Sequence, residues 1–239
     1  MDKFKERVIL ASKILEGSPY DIQKNKIKEV FKNTKNNNLS DILLRLIVID
    51  SCYSTNMNKR FFGFQQLADY LKKLELKIEP PFDVVNFVDT NEYILKDKFG
   101  IDKKGNQKGH AFSLISKYLF FRTDFQFPIY DSLVFKGLVN EKLLDKSDKK
   151  PSLNYFKALV GLKNKYNISF DDLDKYFWVC GKIENGNISL LLPNAEVYID
   201  FIKKIGSNDI AKEIKSNNII FDNEKLNLIH KLSKLKCQP

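Results

Sequence analysis

Apolar residues recur at helical spacing along most of this chain. In residues 2–15 they come every three or four positions, which is the pattern of an amphipathic helix. The same spacing predicts further helices over residues 21–32, 60–74, 83–98, 155–166 and 169–179. Residues 188–192 are a strand candidate, and they could equally form a buried loop. The pattern as a whole predicts an all-α fold.

The third predicted helix has a different pattern. Ser40 suits its N-cap, and residues 42–49 are apolar on nearly every side. A helix that is apolar all round is surrounded by other elements. We therefore expect residues 42–50 to form a central buried helix that contacts both the helix at 111–121 and the C-terminal third of the chain.

Two consecutive segments, residues 109–121 and 128–132, hold the strongest candidates for chemistry. The first is almost entirely apolar and carries Lys117 near its middle. Lysine is almost never fully buried without a partner. The second segment delivers Asp131, after Pro128, to the start of another helix. An aspartate at that position can cap the helix or present its carboxylate to a ligand.

The length of the chain bounds its organisation. With 239 residues, of which 43% are hydrophobic, it can build one large domain or two lobes that share a core. A charged connector at 145–151 suggests a division. We expect a single all-α domain over residues 1–239, with one lobe at about 21–150 and a second at about 151–239 that includes the N-terminal helix.

Composition argues against several classes of protein. No apolar run reaches the roughly 18–20 residues of a membrane span, and the first residues lack the apolar core of a signal peptide. We expect a soluble, cytoplasmic protein without membrane partners. The three cysteines are far apart and neither histidine has metal-ligand spacing, so we expect no metal site. Without a glycine-rich phosphate loop, we also expect no cofactor.

The charge of the chain allows two interpretations. A net charge of +10 favours a polyanionic partner such as nucleic acid. Only four of the 40 basic residues are arginine, however, and asparagine is abundant. That bias is also what an AT-rich genome imposes, so the basicity indicates either DNA binding or codon composition.

Four segments together resemble the helix-hairpin-helix superfamily of base-excision DNA glycosylases, and most nearly its divergent bacterial branch that is similar to 8-oxoguanine glycosylase. Residues 49–56 look like the polar turn that ends the central helix and faces DNA. Residues 105–121 resemble the hairpin and its following helix, and residues 128–132 resemble the step that presents the catalytic aspartate. Residues 172–178, with Gly181, look like a closing helix. The resemblance spans residues 40–182.

The resemblance implies a two-lobed helical fold that flips a damaged or modified base out of duplex DNA and hydrolyses its N-glycosidic bond. Asp131 would stabilise the oxocarbenium-like sugar and orient water. Lys117 would be a desolvated amine or a partner of Asp131. The usual Gly-x-Gly hairpin is degenerate here, and Ala111 falls near the position of the nucleophilic lysine of some members. These departures from the family pattern count against lyase chemistry through a Schiff base, and we expect hydrolysis.

The resemblance also implies two DNA contacts. Gly105, Lys108 and Gly109 would bind a phosphate, and the run Ser54, Thr55 and Asn56 would fill the gap left by a flipped base or bond its edge.

Each candidate has a simpler alternative. The loop at residues 102–109, the glycine-lysine loop, could be a solvated turn. The run at 54–56 could be two adjacent helix caps. Asp131 could serve only as an N-cap, and the ammonium of Lys117 could reach water. On these alternatives the protein is a catalytically inactive DNA- or protein-binding module, or a helical interaction module whose basicity is codon bias.

Overall fold

The structure is a computed structural model that describes residues 3–34, 38–75, 82–91, 94, 96–148 and 152–184. Within them the regular elements are helices, which confirms the all-α prediction for this part of the chain. The helices are α1 (Lys3–Leu15), α2 (Pro19–Asn33), α3 (Leu39–Tyr53), α4 (Gly63–Glu75), α5 (Val84–Thr90), α6 (Phe112–Arg122), α7 (Ser132–Asn140), α8 (Leu153–Tyr166) and α9 (Phe170–Glu184), with a short 3-10 helix at Met57–Lys59. None of the described helices has the length and apolarity to cross a membrane. The strand candidate at 188–192 lies outside the described residues.

Two predicted helices are shorter than the spacing indicated. The helix predicted over 83–98 ends at Thr90, where the side chain of Asn91 donates to the Phe87 carbonyl (2.8 Å). The helix predicted from Arg60 begins only at Gly63, because Phe61 pairs through its backbone with another segment. The Phe61 pairing competes with an earlier start of α4, whereas the Asn91 side chain adds to the helical bond that its own N–H donates to Phe87 (3.1 Å) at the end of α5.

The predicted cap of α3 is wrong by two residues. Asn38 is the N-cap, and its side-chain oxygen accepts from the backbone N–H of Asp41 (2.8 Å). Ser40 lies within the first turn of the helix. Asparagine and serine cap about equally well, so sequence alone does not separate them.

Helix α3 confirms one of its predicted contacts and contradicts its predicted burial on all sides. It packs against α4 and α6, so the contact with the helix at 111–121 is confirmed, and the contact with the C-terminal third stays a prediction. Ile42, Leu46 and Ile49 are fully buried, but Leu44 and Ile47 are each 47% exposed. The helix therefore buries one face and leaves part of its apolar surface uncovered.

The chain divides into two compact units. One contains the described residues of the ranges 1–23 and 171–239, and the other spans residues 24–170. In the first unit, polar contacts tie the N-terminal segment to α9: the Ser12 hydroxyl donates to Asp172 (3.0 Å) and the Tyr20 hydroxyl donates to Asp174. The predicted lobe boundaries stay a prediction.

The core of the second unit is built around α6. Every residue from Leu114 to Phe121 is buried, as expected for a helix that is apolar on all sides. Aromatic rings extend this core toward α8: Phe112 meets Phe156 edge to face at 5.7 Å, and Tyr130 meets Tyr155 in the same way at 5.2 Å. Lys117 therefore lies inside the apolar centre of this unit.

A tightly folded loop precedes α6. Three isolated antiparallel bridges shape it, joining Phe61 with Ile101, Lys98 with His110, and Ile101 with Gln107. Gly100 has φ of +75°, and a Cβ there would lie 2.7 Å from the Arg60 Cβ, 3.0 Å from the Gly63 Cα and 3.1 Å from the Phe61 carbonyl oxygen. Only glycine allows the two chain segments to approach this closely.

We predict that Gly100→Ala destabilises the protein by about 2–4 kcal/mol, because a left-handed alanine and a close backbone contact both carry a cost. Urea-induced unfolding followed by circular dichroism measures the change. Gly109→Ala is the matched control, since a Cβ there meets nothing within 4 Å. The control should change stability by less than about 0.5 kcal/mol, and equal effects of the two substitutions would contradict the close approach.

Candidate active site and nucleic-acid interface

The structure brings Lys117 and Asp131 together. The ammonium nitrogen of Lys117 lies 3.7 Å from Oδ2 of Asp131, and the lysine side chain is only 3% exposed. The same ammonium donates to the Ser113 hydroxyl (2.7 Å), one helical turn earlier, and lies 5.2 Å from the ring centroid of Tyr53. The alternative in which this ammonium reaches water is wrong, because the side chain is enclosed.

The carboxylate of Asp131 is held in a fixed position at the start of α7. Its Oδ1 accepts from the backbone N–H of Leu133 (2.8 Å), so Asp131 is the N-cap as the sequence predicted. The Ser116 hydroxyl accepts from the Tyr130 N–H (2.9 Å), and the Tyr155 hydroxyl donates to the Ile129 carbonyl (2.7 Å). These bonds fix the turn between α6 and α7, and 32% of the Asp131 side chain stays exposed.

The neighbouring phenol of Tyr130 stays protonated at neutral pH. Burial raises the pKa of Tyr130, and the negative charge of Asp131 raises it further.

The position of the Asp131 carboxylate suits it to two chemical tasks. A fixed carboxylate that is one-third exposed can stabilise a developing positive charge or orient a water molecule. Lys117 is enclosed, and its ammonium faces the carboxylate. Within the described residues, no group of three or more His, Cys, Asp or Glu side chains lies close enough together to hold a metal ion.

The predicted DNA-facing turn at 54–56 is organised by Asp50. The carboxylate of Asp50 is buried and accepts from the backbone N–H groups of Met57 (2.8 Å) and Asn58 (3.1 Å) and from the Thr55 hydroxyl. The Thr55 hydroxyl donates its proton to this internal bond and its oxygen can still accept one, so its predicted contact with a base stays a prediction. Ser54 and Asn56 are exposed, at φ of 51° and 62°, at the end of α3 and the start of the 3-10 helix.

These positions are the helix ends that the capping alternative expected. Ser54 is the C-cap of α3, and Asn56 precedes the 3-10 helix without capping it through its side chain. The Asn56 amide instead donates to the Ser54 carbonyl (3.0 Å). Both side chains are exposed enough to meet a ligand, and their predicted contact with a base stays a prediction.

The glycine-lysine loop is a turn built on Asp102. Its carboxylate accepts from the backbone N–H groups of Lys104 (2.9 Å) and Asn106 (3.0 Å). Gly105 has φ of +78° and lets the turn close. The ammonium of Lys108 lies 3.5 Å from the same carboxylate. Lys108 is thus ion-paired with Asp102, its side chain is still 43% exposed, and its predicted contact with a phosphate stays a prediction.

Gly109 has no positive φ, and nothing lies near the position of its missing Cβ. Its role comes through the backbone, because its carbonyl accepts from the guanidinium of Arg60 (2.7 Å). The same guanidinium donates to the carbonyls of Phe99 (3.2 Å) and His110 (3.4 Å). Arg60 therefore joins the segment after the 54–56 turn to both ends of the glycine-lysine loop.

Sequence reasoning missed the side chains that build the site around the predicted residues. Ser113 carried a signal, because it precedes Lys117 by four positions and so shares its helix face. Arg60 is one of only four arginines in a lysine-rich chain. Asp50, Tyr53 and Tyr130 carried no distinctive spacing, because their contacts depend on how the helices pack.

Comparisons with protein-family models, with curated proteins and with solved structures give no significant match to this chain.

We predict that the Lys104 and Asn106 amides follow a single titration of Asp102. Hydrogen bonds from the Asn106 backbone, and then from the Lys104 backbone, lower the pKa of Asp102. The two hydrogen bonds to the ionised carboxylate are therefore fully present above the ordinary aspartate pKa of about 3.9. They are lost as the pH falls through the lower pKa that Asp102 has in the folded protein. NMR amide shifts measured from neutral pH downward test this. Asp102→Asn should remove the shared titration, and a midpoint at the ordinary value in the wild type would contradict it.

Proposed function

We propose that this protein binds DNA and hydrolyses the N-glycosidic bond of a damaged or modified base. The observation that carries the proposal is the fixed, partly exposed carboxylate of Asp131 beside the enclosed ammonium of Lys117 (3.7 Å). A carboxylate held at a sugar is the group that glycosidic cleavage generally requires. The resemblance of residues 40–182 to helix-hairpin-helix glycosylases supports the same reaction.

In the proposed reaction, the bond between C1′ of the deoxyribose and the base nitrogen breaks and its electron pair leaves with the base. Asp131 stabilises the positive charge that develops on the sugar and accepts a proton from the attacking water. The water oxygen forms the new bond to C1′, the departing base takes a proton from solvent, and Asp131 returns the proton of the attacking water to solvent. Lys117 positions Asp131 and takes no covalent part, because its amine is enclosed.

The DNA strand would be held by the two surfaces that Arg60 ties together. Lys103 and Lys104 are exposed at the tip of the glycine-lysine loop, and cationic side chains in such loops contact phosphates. Ser54 and Asn56, on the neighbouring turn, would meet the bases. A base must leave the stack before its sugar can react, which costs a few kcal/mol.

One observation favours a second candidate, a catalytically inactive binding protein with the same DNA-facing surfaces. Both oxygens of Asp131 already have partners within the protein, the Leu133 N–H for Oδ1 and the Lys117 ammonium for Oδ2. A carboxylate engaged in this way can serve the fold alone. Asp131 variants separate the two candidates.

We predict that Asp131→Asn lowers base release by at least about 100-fold, the scale on which positioned acid–base groups act. Asparagine keeps the helix cap, but it removes the negative charge beside buried Lys117 and should cost roughly 2 kcal/mol of stability. Release is measured on duplexes that each contain one modified base, well below the melting temperature, and is normalised to the folded fraction.

Val134→Ala is the matched control for that experiment. Val134 is buried in α7, and its truncation should cost roughly 2 kcal/mol while the carboxylate stays in place. The control should retain base release. A wild-type protein that releases no base from a broad panel would favour the inactive binding protein, and equal losses in the two variants would attribute the effect to stability.

We also predict that DNA binding weakens steeply with salt. Replacing Lys103, Lys104 and Lys108 together by Ala should reduce the slope of log K against log[salt] by up to about 2.7, near 0.9 for each lost phosphate contact. The matched control replaces Lys142, Lys146 and Lys157, three exposed lysines of the same unit. Equal changes in the two triple variants would mean that overall charge, rather than the loop, sets the affinity.

A further inference from the structure

Two adjacent phenylalanines stand exposed between the predicted DNA-facing turn and α4. The side chains of Phe61 and Phe62 are 52% and 69% exposed, and Phe62 is the most exposed large hydrophobic residue in the described part of the chain. Phenylalanine is usually buried, because exposing its apolar ring to water is unfavourable. Such a pair therefore indicates a surface that meets another molecule.

The backbone holds this pair rigidly. Phe61 exchanges two hydrogen bonds with Ile101, at 3.0 and 3.1 Å, and glycines at positions 63 and 100 allow the close approach behind it. Phe62 has φ of 59°, a left-handed conformation that is an outlier for a bulky residue. Glycine or asparagine would fit this backbone with less strain, so the ring is not explained by the turn.

The surroundings of the pair are strongly cationic. Residues 56–63 and 97–110, which the bridges join, contain two carboxylates, Asp97 and Asp102, against six cationic side chains. The cations are Lys59, Arg60, Lys98, Lys103, Lys104 and Lys108. Lys59, Lys98, Lys103 and Lys104 are all exposed. This charge complements a polyanion and would repel a basic protein surface, including that of a second copy of this chain.

We propose that Phe61 and Phe62 form a stacking surface for DNA bases that are not paired in a duplex. The inference rests on the proposed function and adds to it a preference for opened or single-stranded DNA. Sites of this kind combine aromatic rings, on which bases stack, with cations that follow the phosphates. Exposed rings held by a stiff turn beside exposed lysines provide both parts.

The preference follows from which atoms are accessible. In a closed duplex the faces of the bases are covered by their neighbours, and only their edges reach the grooves. A phenyl ring has no donor or acceptor with which to read an edge. Phe61 and Phe62 therefore gain their full contact only where a base is unstacked.

Binding to three labelled DNA probes, followed by fluorescence anisotropy, tests the proposal. The first probe is a thymidine strand of about 12 nucleotides, within the range of known site sizes. The second is a strand of equal length that carries the sugar–phosphate backbone without bases, and the third is a fully paired duplex. The wild type should bind the thymidine strand at least roughly fivefold more tightly than the baseless strand, the effect of one stacked base.

Substitutions test whether the two rings cause the ratio of the affinity for the thymidine strand to the affinity for the baseless strand. The double variant Phe61→Ala with Phe62→Ala should bring the ratio close to one, while Phe61→Trp should keep it, because tryptophan also stacks. Phe62→Gly should lower the ratio without lowering the melting temperature, since glycine accepts the left-handed backbone. Leu143→Ala, at an exposed apolar residue of the same unit, should leave the ratio unchanged.

Each result decides the proposal. A wild-type ratio near one, or a ratio that survives loss of both rings, overturns the stacking surface and leaves DNA binding through phosphates intact. No binding to any probe overturns both the stacking surface and the proposed function. If the wild type sediments as an oligomer that the ring substitutions dissociate, and the ratio is near one, the pair is a protein interface instead.

Discussion

The ion pair between Lys117 and Asp131 is the interaction on which the arrangement of the second unit depends. An ammonium placed in the apolar centre of α6 costs several kcal/mol unless an opposite charge and hydrogen bonds compensate it. Asp131 and the Ser113 hydroxyl supply both. The chain after α6 must therefore return so that α7 begins beside Lys117, and the bonds made by Ser116 and Tyr155 hold it there. One requirement, the partner for a buried cation, thus fixes a carboxylate at the edge of an aromatic core.

A second pair of charged side chains organises the surface next to that carboxylate. Asp50 and Arg60 both act on backbone groups: the carboxylate accepts from two N–H groups of the following turn, and the guanidinium donates to three carbonyls around the glycine-lysine loop. Tyr53 lies at the end of the same helix as Asp50 and places its ring near the Lys117 ammonium. The predicted reaction centre and the predicted DNA-facing turn therefore share the C-terminal end of α3.

Sequence reasoning succeeded where the determining forces are local. The apolar run around Lys117 predicted the buried helix α6, and the position of Asp131 predicted the N-cap of α7. Both features depend on residues within one or two helical turns. It failed where packing decides. Leu44 and Ile47 are apolar but lie on an uncovered face, and the hydrogen bond from Arg60 to the Gly109 carbonyl spans 49 residues. The left-handed backbone of Phe62 has no sequence signal either, since phenylalanine disfavours it. The proposed reaction rests on the resemblance and the carboxylate geometry together, and on neither by itself.

A double-mutant cycle on the ion pair tests the central claim most directly. Lys117→Met removes the charge at similar volume, Asp131→Asn removes the carboxylate and keeps the cap, and the free energy of unfolding is measured for both variants and for their combination. If the pair organises this region, the single substitutions should be strongly non-additive, with a coupling energy of at least about 1 kcal/mol, and the combined variant should be more stable than the sum predicts. Additivity within about 0.5 kcal/mol would show that the two side chains act independently, and it would contradict the account.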